Sequence, residues 1–390
     1  MGRSPLCDTL AVLLPTPHET ALLRACLHTG EPGREAWGAW CERVGDAKAA
    51  FKEDRAGIKR LLPLLSTALQ ANGAVVDSAV LSYLRAAYVT EELRGATYRR
   101  VCASVLSTLT AHGIPVLALK GVALTEQLYG SWALRHSHDI DLLLRDEDCE
   151  HVARLLLPLG FVTVPAHRRS GALRLIHSSG LPLELHTRLF RLPFYRPPLE
   201  EMWGRSHTRV LAGVPSRILS PADNLFHVCG QASCCRGRES LQWACDAWYL
   251  LLRHPNLDWD VLLDASSRSR FALPLSVLLA YLARELQAPI PAFVIERLDA
   301  CASRADAIER QVALLGARSA PRGTFRSLLR HSADWLTRAE IVKWMLLPSP
   351  QYLRSTGQLL TWWSLPGSYL MRPLRYLARR SKHRVRRGMS

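Results

Sequence analysis

The 390-residue chain has no apolar run long enough to cross a bilayer. Its longest charge-free stretches, Phe271 to Ala283 and Ser355 to Met371, fall short of the roughly 20 residues a spanning helix needs. The second is also interrupted by Pro366 and Gly367, so no integral membrane protein is expected. No export signal is expected either: Asp8 precedes the short apolar run Leu10 to Leu14 and Pro15 ends it, short of a hydrophobic signal region. The ten cysteines include no Cys-x-x-Cys pair. They read as reduced thiols of a cytoplasmic protein, without disulfides. The group Cys229, Cys234, Cys235 and Cys245 near His227 accordingly reads as helical thiols packed as small apolar side chains, not as a zinc site. Acidic residues are missing beyond Glu340, where Lys343, Arg354 and eight basic residues from Arg372 to Arg387 follow. Ten charges of the formal +16 therefore belong to the C-terminal end, and the basic balance describes that end, not the rest of the chain.

What is present is a great deal of apolar surface. Hydrophobic residues make up 48% of the sequence, enough for two or three packed units. Leu81, Leu84, Ala87 and Tyr88, then Tyr98, Val101, Val105 and Leu109, recur at helical spacing. His112, Gly113 and Pro115 stop that pattern, and Val116 to Leu119 has the length and composition of a buried strand. A helix is expected over 122–129, a strand over 139–144, and a helix from an Asp146 cap to about Pro158, ended by Gly160. Leu173 to His177 and Leu183 to His186 read as two strands of a hairpin. From Pro221 onward the helical pattern returns, with Leu225, Phe226, Cys229, Trp243, Trp248 and Leu251 as its inner stripe. The expected fold class is α+β: a small mixed-sheet core over 113–219, a helical N-terminal region over 1–112, a helical C-terminal domain over 220–375 and a basic tail over 376–390.

The chemistry-bearing residues sit in the strands of that core. Side chains alternate along a strand, so Asp139 and Asp141 share one face roughly 6.6 Å apart while Ile140 and Leu142 turn inward. Two carboxylates this close repel unless a cation or hydrogen-bond donors stabilise them. Magnesium suits such a pair because it binds through one or two carboxylates together with phosphate oxygens and water. Glu184, between Leu183 and Leu185, supplies a third acid and shares its face with His186. If the two strands are neighbours, Asp139, Asp141 and Glu184 hold two ions about 3.5 to 4 Å apart, the arrangement used to clamp both oxygens of an in-line displacement.

The stretch Leu117-Ala-Leu-Lys-Gly121, followed by Tyr129-Gly130, Arg135 and Asp139-Ile-Asp-Leu-Leu143, resembles the DNA polymerase beta-type nucleotidyltransferases. More narrowly, the chain is similar to the bacterial family of uncharacterised nucleotidyltransferases. Leu159-Gly-Phe161, Leu183-Glu-Leu-His186, Leu219-Ser-Pro-Ala-Asp223 and the tryptophan-containing helix through Asp246 and Leu250 add to the likeness, which covers about residues 95 to 375. In that superfamily a strand enters a Gly-Ser turn at the head of a helix, and an Asp-x-Asp pair follows on the next strand. Here Lys120-Gly121 occupies the turn, keeping the glycine and adding a cation where a hydroxyl would stand. His138, directly before the acidic pair, is a second departure.

The resemblance implies a nucleotidyltransferase core in which Asp139, Asp141 and Glu184 are catalytic and bind two magnesium ions. Lys120, Gly121 and Arg135 bind the nucleotide, and His186 stands behind the acids as a supporting or structural histidine. It implies transfer of a nucleoside monophosphate from a nucleoside triphosphate to an acceptor hydroxyl, with release of pyrophosphate. The acceptor is open: a small molecule, a protein or an RNA end. Other readings of the same residues stand beside these. Arg135 equally suits an ion pair with Glu126 or Asp139, and His136 and His138 suit solvated loop positions. Trp335, Trp344, Trp362 and Trp363 suit helix cores. The basic tail fits nucleic-acid contact, an anionic membrane surface or a solvated end. The rival to the enzyme is a catalytically silent nucleotide-binding or interaction protein that uses the same cleft.

Overall fold

The computed structural model describes residues 10–53, 57–164, 172–190, 195–234, 241–306, 309–310, 312–314 and 335–347, with positions 329, 367 and 369. The basic tail, Trp362 and Trp363 lie outside these residues. Five helices come first: α1 (Pro17–Leu27), α2 (Glu31–Val44), α3 (Ala47–Glu53), α4 (Leu62–Ala71) and the long α5 (Ser78–Ala111). Asp77 caps α5 by accepting from the backbone N–H groups of Ala79 and Val80, two of the donors a helix start leaves unpaired.

Strand β1 (Leu117–Leu119) follows, then helix α6 (Lys120–Leu124), strand β2 (Ile140–Leu143) and helix α7 (Cys149–Leu155). Next come β3 (Phe161–Thr163), β4 (Ala172–His177), β5 (Pro182–His186), helix α8 (Leu199–Arg205), β6 (His207–Leu211) and β7 (Val214–Ile218). The seven strands form one mixed sheet in the order β3-β4-β5-β2-β1-β7-β6. β1 pairs antiparallel with β2 and parallel with β7, and β2 pairs parallel with β5. The central strands β1 and β2 are buried along their whole length, which is why they read as short apolar runs. Helices α9 (Pro221–Cys234), α10 (Gln242–Arg253), α11 (Trp259–Arg268), α12 (Ala272–Glu285), α13 (Ala292–Ser303) and α14 (Trp335–Leu346) complete the described chain.

The fold class expected from sequence is the one observed, and the four expected strands fall within a residue of their bounds, whereas β3, β6 and β7 were not expected. Several helices differ. The segment expected over 122–129 begins at Lys120 and changes to a π turn over Thr125–Tyr129. Asp146 opens a short 3-10 turn instead of capping a helix, and α7 starts only at Cys149 and ends at Leu155. At the start of α14 Trp335 is 73% exposed, not a core residue.

The N-terminal helices pack on the C-terminal ones. The Thr20 and Tyr281 hydroxyls share a hydrogen bond of 2.9 Å, and Arg24 in α1 pairs with Glu285 in α12. A hydrophobic cluster that includes Leu22, Trp40, Val105, Leu142, Phe226 and Leu278 runs through helices and sheet alike. The charged end of the central strands β1, β2 and β5 lines a cavity together with residues of α9 and α10.

Candidate active site

Strand pairing assembles the acids. Asp141 on β2 lies in register with Glu184 on the parallel neighbour β5, and Leu119, the last residue of β1, is opposite Asp141. Three elements that are far apart in sequence therefore deliver Lys120, Asp141, Glu184 and His186 to one end of the sheet. Asp139 sits just ahead of β2, where Tyr98 of α5 tethers it by donating its hydroxyl to the Asp139 carbonyl at 2.7 Å. That bond gives the long N-terminal helix a direct part in positioning the acidic pair.

Lys120 has φ 46°, a left-handed conformation that costs a side-chain-bearing residue about 1–2 kcal/mol. The kink turns the chain from β1 into α6 and sends the ammonium to Asp141, with Nζ 2.6 Å from Oδ1. His186 Nε2 meets that same oxygen at 2.7 Å and lies 3.6 Å from Glu184 Oε2. Ligand atoms of Asp141, Glu184 and His186 lie within 4.8 Å of one another and form a group suited to a metal ion. Asp139, expected to be a ligand from sequence, is not in that group, whereas His186, expected as a supporting residue, is.

Gly121 has a packing reason to be glycine. A Cβ there would stand 2.3 Å from Ser137 Oγ and 3.0 Å from Arg135 Nη1. Arg135 Nη1 donates to Ser137 Oγ at 3.1 Å. The guanidinium pairs with neither Glu126 nor Asp139. It forks onto Asp246 of α10, with Nε to Oδ1 at 2.8 Å and Nη2 to Oδ2 at 2.7 Å. Tyr129 also donates its hydroxyl to Asp246, at 2.7 Å. His136, expected in solvent, is tied to Glu91 at 3.0 Å through Nδ1, and its carbonyl accepts from Gln242 at 2.9 Å.

The charges are unequally stabilised. Burial pushes the Asp139 carboxyl up, the neighbouring Asp141 charge pushes it further, and it reaches about 7 despite Lys120. Burial also opposes the charge on Asp141, but Lys120 and His186 outweigh it and hold that carboxyl below the usual range. Desolvation works against the Lys120 ammonium, and Asp141 and Asp139 overcome it to keep the group protonated beyond its ordinary range. His138 is pushed down to about 4 by burial and by Arg60. One carboxylate is thus neutralised by hydrogen-bonded cationic and imidazole groups while its neighbour lacks equal compensation.

These residues line a cavity of about 410 Å³. A second part of its lining, a helical wall, is different in kind: His227, Val228, Gln231 and Ala232 of α9, Gln242 and Trp243 of α10, and Leu189 and Phe190 after β5. His227 is buried, and desolvation pushes its imidazole down to about 3, so it is neutral at ordinary pH. Gln231 Nε2 donates to the Leu189 carbonyl at 2.9 Å and lies 3.3 Å from His227 Nε2. The described Cys229 and Cys245 are buried free thiols and belong to no metal group among the described residues.

Sequence reasoning missed Tyr98, Ser137, His227, Gln231 and Gln242. It noted Asp246 only as part of a resemblance. The Arg135 to Asp246 bond spans 111 positions, and no local pattern announces it. His227 and Gln231 do share one face of α9 four residues apart, a signal available in the sequence but indistinguishable there from core packing. Among the described residues, no helix is long and apolar enough to cross a membrane.

A family model described as an uncharacterised nucleotidyltransferase matches residues 55–287. That span begins earlier and ends earlier than the likeness read from sequence motifs, taking in α5 and stopping just beyond α12. No curated protein and no solved structure matches the chain.

Proposed function

Since the chain belongs to the uncharacterised nucleotidyltransferase family, we propose that its cleft moves a nucleoside monophosphate from a nucleoside triphosphate to an acceptor hydroxyl, releasing pyrophosphate, in the manner of the polymerase beta-type superfamily. The observation that carries this reading is the register of Asp141 with Glu184 on adjacent parallel strands, with Asp139 one step ahead and Lys120 against Asp141. Acids concentrated at the end of a sheet, beside a helix whose first residues are Lys120 and Gly121, make a site for polyphosphate and a divalent ion.

The donor set fits such an ion: Asp141, Glu184 and His186 would hold it, and Asp139 would face it from the adjoining turn. Magnesium, in one or two copies, would supply neutralisation of charge on the phosphates undergoing displacement. The chain's own groups do the rest. Lys120 binds phosphate oxygens, and the backbone amide of Gly121 contacts them at the head of α6. Arg135, held by Asp246, fixes the loop that carries Ser137 and the acids. Glu184 orients the acceptor hydroxyl and helps to take its proton. Burial raises the Asp139 carboxyl first and the neighbouring Asp141 charge raises it further, and an arriving cation offsets both. Holding the reactants in line is worth more here than any single proton transfer.

The helical wall lines the same cavity as the acids and supports a role in selecting the acceptor or the base. Incubating the protein with each α-labelled triphosphate, magnesium and a lysate tests the reading. Label is expected to move to protein, RNA or a small molecule with stoichiometric pyrophosphate, and not with Asp141→Asn. Nucleotide binding without label transfer or pyrophosphate, for every triphosphate and acceptor fraction tried, would overturn it in favour of a silent nucleotide-binding protein.

A further inference from the structure

Asp141 Oδ1 is already saturated. A carboxylate oxygen has two lone-pair sites, and Lys120 Nζ at 2.6 Å and His186 Nε2 at 2.7 Å take both. Any metal ligated by Asp141 Oδ1 and the His186 Nε2 must displace those contacts, because the imidazole nitrogen directed at Asp141 is the one within reach of Glu184. The Asp141 side chain is 1% exposed and that of Lys120 30%. The acid is therefore fixed in the wall, while Lys120 is the less buried partner and lines the cavity. Lys120 reaches Asp141 from a left-handed backbone position, so the contact is sustained against local strain.

We propose that Lys120 holds the place of the metal cation on Asp141 in the free protein and yields it when a triphosphate draws the ammonium away. This deepens the transfer reading and rests on it. Metal and nucleotide then bind together. A bare divalent ion that takes Oδ1 competes with an internal cation for that oxygen, and at either oxygen of Asp141 it bears the ammonium's repulsion at close range. A triphosphate offers Lys120 another anionic partner, vacates the lone pair, and so raises metal affinity. By linkage the metal raises nucleotide affinity by the same factor. The device would keep the acids from collecting free metal and would assemble the charged site only when substrate is present.

The test uses Mn2+ as the probe, because its free-ion magnetic resonance signal reports binding without turnover. Mn2+ is titrated into the full chain alone and with an α,β-methylene triphosphate, for wild type, Lys120→Met and Lys120→Arg, with nucleotide-only controls. Circular dichroism and thermal melting establish that each variant is folded. Lys120→Met removes the competing charge at similar length, so free Mn2+ should bind at least about tenfold more tightly than to wild type. The triphosphate should tighten Mn2+ binding about tenfold in wild type and much less in Lys120→Met. Lys120→Arg, which keeps the charge, should stay within about threefold of wild type for free Mn2+.

Free-Mn2+ affinity in folded Lys120→Met equal to or weaker than wild type would overturn the proposal. So would an equal gain in Lys120→Arg, which would assign the effect to loss of the Lys120 contact geometry and not to charge. Failure of the triphosphate analogue to bind wild type at all would instead sink the nucleotidyl-transfer reading, while the metal-only arm still decides whether Lys120 competes with a cation.

Discussion

The two walls of the cleft are built on opposite principles. The sheet wall gathers Asp139, Asp141, Glu184, Lys120 and His186 and leaves their charges unevenly matched, with Asp139 raised to about 7 and Asp141 depressed by its partners. The helical wall combines apolar Val228, Ala232, Trp243 and Phe190 with uncharged Gln231 and Gln242, and its buried imidazole, His227, is held neutral. Unmatched charge marks the wall where a cation and phosphates belong, because an arriving ligand relieves it. A neutral, shaped wall offers contact area and hydrogen bonds instead, and those discriminate between ligands more than they drive chemistry. The Arg135 to Asp246 fork ties the two walls together at their base.

The largest effect is expected from Asp141→Asn. The change deletes the acid shared by Lys120 and His186 while keeping its shape, so transfer should fall by more than the roughly 10- to 100-fold typical of losing a group that merely supports a metal ligand. Transfer rate and thermal melting check it together. A fall in rate without unfolding sharpens the contrast between the walls, whereas near-normal turnover in magnesium would erase it. Substitutions confined to the helical wall, such as Val228→Ala, should instead alter acceptor or base preference with much smaller changes in maximal rate.

Next in size is the joint between the walls. The Arg135 and Asp246 side chains are 8% and 6% exposed, and removing one partner of a buried pair costs about 3–5 kcal/mol because a charge is left without compensation. Asp246→Asn should lose stability on that scale in denaturant unfolding. Arg135→Met combined with Asp246→Leu should recover much of it, since apolar replacement of both partners is close to neutral. If the double variant is no more stable than Asp246→Asn, the pair is not the source of the loss.

How much of this was visible beforehand follows from the range of the interactions. The strand carrying Asp141 and the one carrying Glu184 announce themselves through local alternation, and the Lys-Gly turn through the stop of a helical pattern and an apolar run. Those features depend on neighbours a few residues apart, so the α+β class and the main carboxylates were legible. The contacts of His186 were not: parallel pairing sets Glu184 beside Asp141, and His186 Nε2 reaches Asp141 Oδ1 to complete a group that could hold a metal, a fact of register between strands. Arg135, Tyr98 and His136 depend on partners dozens of residues away. Lys120 was read as a phosphate ligand, and its left-handed backbone and its grip on Asp141 appear only when β1 and β2 are paired.

A smaller effect, with a defined sign, attaches to Asp139. Its ordinary value is 3.8 and its value in the fold about 7, so between those values the folded chain holds a proton that the unfolded chain has lost, and stability falls as pH rises through that window. His138 runs the other way. Its value drops from 6.5 to about 4, so the folded chain binds fewer protons and stability falls as pH drops through 6.5 to 4. Asp141, held low, contributes stability above 3.8 that is lost on further acidification. Because the first two windows overlap, the curve for wild type alone decides nothing, and the difference between wild type and Asp139→Asn isolates the carboxylate. In metal-free buffer Asp139→Asn should melt higher than wild type at pH 8, with the gain shrinking toward pH 5. A gain independent of pH would mean that charge crowding at Asp139 is not what distinguishes the sheet wall.

The smallest effect on either wall is expected from deleting the chain from Arg379 onward. Arg379, Arg380, Lys382, Arg384, Arg386 and Arg387 fall within nine positions and no acid balances them. They lie outside the described residues, and nucleotide transfer to a small acceptor should stay within about twofold of wild type without them. Association with polyanions should behave differently. Binding that rests on counterion release falls steeply between about 50 and 200 mM salt, whereas in-line transfer within the cleft has no comparable slope. Measuring the full chain and the truncated form against RNA and against vesicles containing anionic lipid, across that salt range, separates the two surfaces the tail suits. Loss of RNA binding alone assigns the tail to nucleic acid, and loss of vesicle binding alone assigns it to a membrane surface. Equal binding by both forms removes polyanions from its partners and leaves recognition of the acceptor to the helical wall of the cleft.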